Sequence, residues 1–180
     1  MAQTIAELRC QWQQRLDREC PHETDRDRQS ILDWLLDENF QQWTNSTQQL
    51  AIFNKNIDYR FSILQHRYLN QPPTYAYKNL MCRFSNLPTI RILIASQISP
   101  SKESQRTILD AIEQVILDIL QHDRDIKHQI EWIARCTDNS QLRDRLLFAS
   151  LEAYCLQIAR PEAVVAVRQA RTSGLLPTDC

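Results

Sequence analysis

Residues 47–68 read TQQLAIFNKNIDYRFSILQHRY, and the spacing of their apolar side chains decides the fold. Leu50, Phe53, Ile57, Phe61, Leu64 and Tyr68 follow one another at steps of three or four, which brings them to one side of an α-helix and to opposite faces of any strand. The stretch therefore predicts a long amphipathic helix, and the rest of the chain agrees with it. Glycine occurs once in 180 residues, at Gly174, where average usage would place about a dozen. Glycine supplies positive φ and lets backbone approach phosphate, so its absence before residue 174 excludes a P-loop, a dinucleotide fingerprint, an Asn-Gly hairpin and a hydrolase nucleophile elbow.

Upstream, Thr4 with Glu7 forms a capping-box pattern ahead of Ile5, Leu8, Trp12 and Leu16, which predicts a helix over 4–19. Pro21 ends it. Thr24 and Asp25 cap a second helix that runs to about Phe40, with Ile31, Trp34, Leu35 and Leu36 on its apolar side. Downstream, Pro72-Pro73 stops the central helix and presets the first turn of another, Thr74 to Asn86. Residues 89–95 carry both strand and helix signals; no second strand exists to pair with them, which favours a short buried helix. Ser99-Pro100 followed by Glu103 opens a long helix to residue 136, bent at His122-Asp123, with Ile108, Ile112, Val115, Ile119, Ile126, Ile130 and Ile133 inward. Thr137 to Ser140 is a capping loop, and Leu142, Leu146, Ala149, Ala153 and Leu156 carry a helix to Ala159. A last helix spans 162–172 and closes at Gly174. The expectation is an all-α domain over 1–174 with about seven to nine helices, and a short tail over 175–180.

A hydrophobic share of 43% with 24% charged residues is that of a globular protein. The start of the chain has neither the basic flank nor the apolar run of a signal peptide, so a cytoplasmic location is expected. On that reading Cys10, Cys20, Cys82, Cys136, Cys155 and Cys180 stay reduced and behave as small buried apolar residues. Cys20-Pro21-His22 is the one place where two soft ligands come close, and without a second pair no metal or other cofactor is expected.

The net charge of −1 hides an uneven distribution. Residues 1–46 hold five Arg against nine acids, while residues 47–98 hold Lys55, Arg60, Arg67, Lys78, Arg83 and Arg91 against Asp58 alone. Seven of the ten Tyr and Phe residues also lie in that basic segment: Phe53, Tyr59, Phe61, Tyr68, Tyr75, Tyr77 and Phe84. Cations displace phosphate counterions and rings stack on bases, so the segment is a candidate nucleic-acid surface, with Lys55, Arg60, Arg67, Lys78 and Arg83 as phosphate contacts and Tyr75 and Tyr77 as stacking partners. Competing with this, Phe53, Phe61 and Tyr68 fall on the apolar stripe, and the acidic N-terminal segment can pack against the basic one within the fold. A protein-protein adaptor is the alternative, its basic segment meeting an acidic protein partner or the acidic helices of a second copy.

A third reading is an all-helical enzyme built on Asp118, His122 and Asp125, which share a face if the long helix is continuous. A solvated charged edge is the plainer explanation of that stripe. Glu113 and Glu131 lack the Glu-x-x-His spacing of helical di-metal sites. No membrane partner is expected, because the polar face of the long helix balances acids with bases and the four Trp residues are scattered.

The runs QRTILD (105–110), EWIARCT (131–137) and LRDRLLFASLEAYCL (142–156) resemble a helical regulatory protein family of cyanobacteria whose longer members end in a sigma-factor-like helix-turn-helix segment. The resemblance covers residues 67–177 and implies a transcription-linked role. The chain ends just after Gly174-Leu175-Leu176-Pro177, near where the DNA-reading part of those members begins, so sequence-specific DNA contact is not carried over. The combined expectation is a non-catalytic regulatory or interaction module.

Overall fold

A computed structural model describes residues 5–37, 47–87 and 105–158, and every regular element among them is helical. Seven α-helices follow in order: α1 (Ile5–Glu19), α2 (Asp25–Leu35), α3 (Thr47–Leu64), α4 (Pro73–Ser85), α5 (Gln105–His122), α6 (Arg124–Cys136) and α7 (Ser140–Ile158). The predicted short helix at 89–95, the last helix at 162–172, Gly174 and the tail lie outside the described residues.

Local chemistry accounts for the boundaries. Thr24 starts α2 by accepting the Asp27 amide on its hydroxyl oxygen at 3.1 Å. Asn139 does the same for α7, its side-chain oxygen accepting from the amides of Gln141 and Leu142. Pro73 occupies the first turn of α4, where its missing N–H costs nothing. One expectation is corrected here: residues 105–136 form two helices rather than one bent helix. Asp123 breaks them, because its Oδ1 accepts the amides of Asp125 and Ile126 at 2.9 and 3.0 Å and so begins a new helix.

The stripe read from residues 47–68 is buried, with Leu50, Ile57, Phe61, Leu64 and Tyr68 in the core and Phe53 packed at its margin. Past Leu64 the helix widens into a π turn over Gln65–Leu69. The extra residue per turn turns Tyr68 and Leu69 inward together.

α7 is the hub. It packs against α2, α3, the π turn, α4 and α6, and a helix touched on so many sides must be apolar around most of its circumference. Leu142, Leu146, Ala149, Leu151, Ala153 and Cys155 are accordingly buried. Two indoles tie helices together: Trp34 of α2 donates to Ser150 Oγ of α7 at 3.1 Å, and Trp132 of α6 donates to the Asp33 carbonyl of α2 at 3.2 Å. Trp12 closes the α1 side, edge-on to Phe61 at 5.5 Å and donating to Asn54 Oδ1.

The cysteines divide, in part against expectation. Cys20 and Cys155 are buried as small apolar residues, whereas Cys10 and Cys82 are exposed. Among the described residues no helix is long and apolar enough to cross a membrane.

Candidate functional site

The basic segment does not present its cations together. Arg67 leaves the π turn toward α7 and donates to Glu152 Oε1, while Arg83 on α4 donates to the same oxygen at 2.9 Å. The Tyr68 hydroxyl donates to Glu152 Oε2 and accepts from Arg83 Nη2 at 2.8 Å. Glu152 is only 2% exposed, so a bare carboxylate there would be costly, and two guanidinium groups with a phenol compensate it. Burial first, and the Glu152 carboxylate second, push the Tyr68 hydroxyl well above its ordinary range. Two of the five predicted phosphate contacts are thus engaged by a buried carboxylate.

Arg60 is held differently. Its guanidinium lies over the Trp34 ring, 4.5 Å from the centroid, and Nη2 donates to Gln129 Oε1 on α6 at 3.1 Å. Burial pushes this group down to about 10, opposed by the nearby Asp37. No carboxylate among the described residues closes an ion pair with it.

Lys55, Lys78, Tyr75 and Tyr77 remain on the surface. Tyr75 is 64% exposed and Tyr77 39%. Tyr77 is nonetheless engaged, donating to Glu113 Oε1 at 2.9 Å and lying 6.0 Å from Phe148. Helical spacing groups what is left into two outer stripes: Ile52, Lys55 and Tyr59 on α3, and Tyr75, Lys78 and Cys82 on α4, all exposed.

The acidic N-terminal segment pairs four of its nine acids with its own arginines. Arg9 pairs with Asp33, Arg18 with Glu19, and Arg28 with Asp17 and Asp25. Arg15 bridges outward to Asp58, the single acid of the basic segment, at 2.5 Å, and lies over the Trp12 and Phe61 rings. Glu152, the acid that Arg67 and Arg83 contact directly, comes instead from α7, and Glu113, which accepts from the neutral Tyr77 hydroxyl, from α5.

The Asp118, His122, Asp125 arrangement loses its shared face, because Asp125 belongs to α6, beyond the break at Asp123. His122 is exposed with Nδ1 against the Asp118 carbonyl at 3.1 Å, Asp118 Oδ1 accepts from Gln114, and the Asp125 amide serves the Asp123 cap. No carboxylate-imidazole pair forms among the three. No cluster of three metal-ligating side chains occurs among the described residues.

Two features escaped the sequence reading. One is Glu152, a carboxylate on a helix face that its neighbours mark as core. The other is a cleft of about 280 Å³ lined by Arg60, Asp125, His128, Gln129, Tyr154 and Gln157, among others. In comparisons with known proteins, no family model, no curated protein and no solved structure matches this chain.

Proposed function

We propose that the protein is a non-catalytic regulatory module that docks an acidic protein partner through the outer stripes of α3 and α4. The observation that carries this reading is the engagement of Arg67 and Arg83 by the buried Glu152, which leaves each outer stripe with one lysine set among exposed tyrosine and apolar side chains. Tyrosine beside an isolated cation is the composition of a protein interface, where rings supply contact area and a rim charge steers an oppositely charged partner. Nucleic acid needs a row of free cations to displace counterions along the backbone, and three of the predicted five are engaged elsewhere. The link to transcription rests on the resemblance of residues 67–177 alone.

The test is capture from nuclease-treated extract with the whole chain, beside the double variant Tyr75→Ala, Lys78→Glu. Proteins retained by the wild type and lost by the variant, with nuclease making no difference, support the reading. Partners that vanish on nuclease treatment overturn it in favour of nucleic acid.

A further inference from the structure

The cleft beside Arg60 follows from how the helices meet. α3 and α6 both pack on α7 with little direct packing between them, so a groove remains with α7 as its floor. Ser150, Ala153, Tyr154 and Gln157 are spaced by three, one and three, which puts them on the single α7 face that forms that floor. Asp125, Ile126, His128 and Gln129 make the α6 wall, and Arg60 the α3 wall, with the Arg60 to Gln129 hydrogen bond spanning the gap.

Arg60 is fixed within this groove. The guanidinium lies over the Trp34 ring, and Trp34 is itself held by its bond to Ser150. Gln129 takes one edge of the cation as a neutral acceptor, so the charge is oriented without being neutralised by a direct carboxylate contact among the described residues. A guanidinium in a partly dry groove, stacked near an indole and hydrogen-bonded to an amide, with Asp37 nearby but not in direct contact, is matched by the two oxygens of a carboxylate.

We infer that this cleft binds a small monocarboxylate, its oxygens on Arg60 and its uncharged remainder lying over Ile126 and Ala153 between the amides of Gln129 and Gln157. Three features select that class. The volume of about 280 Å³ is at the small end of ligand sites and suits a metabolite rather than a polymer. Arg60 is the only arginine or lysine among the described residues that line it, and Asp125 adds a negative charge to the same wall, which disfavours a doubly charged phosphate. The lining alternates amide, hydroxyl and apolar groups, as a polar acid with a short carbon skeleton requires.

The experiment follows the Trp34 indole N–H signal by NMR on the whole chain, titrated with propionate, benzoate, inorganic phosphate and the uncharged propionamide. A saturable shift with a carboxylate, and none with propionamide, is expected. Arg60→Gln abolishes the shift. Gln157→Glu, at an exposed position that leaves the core untouched, places a like charge at the cleft and weakens binding about tenfold, a change of one strong charge-assisted contact. Tighter binding of phosphate than of either carboxylate overturns the inference. So do equal responses to propionate and propionamide, a shift unaffected by Gln157→Glu, or no saturable shift with any probe.

Discussion

Arg83 and Glu152, 69 residues apart in sequence, meet at 2.9 Å beside Tyr68, whose hydroxyl donates to the carboxylate and whose ring centroid lies 5.4 Å from the guanidinium. The pair joins α4 to α7, and Arg67 joins the π turn to the same carboxylate. Charge that reads in one dimension as a binding surface therefore serves in three dimensions as a fastening between helices.

Replacing Glu152 by Leu removes the acceptor from two guanidinium groups and one phenol at once. Both arginines keep about a third of their side-chain surface in water and can turn outward, so the cost falls below that of a fully buried pair. A loss of about 2–3 kcal/mol is expected. Urea denaturation checks it as a lowered midpoint at constant slope.

Ser150→Ala leaves the fully buried Trp34 indole N–H without its acceptor. A buried donor stripped of its partner costs about 1–3 kcal/mol. Because Trp34 is also the platform under Arg60, the same variant should disturb the cleft, visible as a moved Trp34 indole signal.

Burial raises three thiols above their ordinary 9.0, Cys20 to about 11 and Cys136 and Cys155 to about 12, with nearby carboxylates adding to the effect. A raised pKa means that the folded chain holds its protons more tightly than the unfolded chain. Stability is therefore fully present below about pH 9 and declines as pH rises through the folded values. Tyr68, also raised, adds to the decline above its usual titration near pH 10. Urea midpoints measured in steps from neutral to alkaline pH should fall in that window. A thiol reagent at neutral pH should modify the exposed Cys10 and Cys82 quickly and reach Cys20 and Cys155 only on unfolding.

The double variant Tyr75→Ala, Lys78→Glu removes surface groups on α4 and should leave stability within about 0.5 kcal/mol of wild type. Its partner binding should nevertheless be lost. Thermal melting beside the capture assay separates the two effects.

The fold was legible where periodicity governs it. The stripe from Leu50 to Tyr68, the Thr24 cap, the proline start of α4 and the Asn139 cap all follow from neighbours within a few residues. Asp123 reads in sequence as a bend, and its side chain makes it a helix start by capping the Asp125 and Ile126 amides. What escaped depends on distant partners. Nothing within reach of Arg67 or Arg83 in sequence announces Glu152, 85 and 69 residues away, and α7 hides that glutamate among leucines and alanines because it is buried on most sides. The cleft escaped for the same reason, since its walls come from α3 and α6 and its floor from α7.

The central claim, that the arginines of the basic segment fasten the fold rather than grip phosphate, is tested most directly by the salt dependence of binding to mixed-sequence DNA and RNA. With Lys55 and Lys78 the only cations among the predicted five left unengaged, the account predicts no binding at low salt, or a log–log slope no steeper than about −2. Binding with a slope of about −4 or steeper requires the arginines to leave Glu152 and Trp34 for phosphate, and would contradict it.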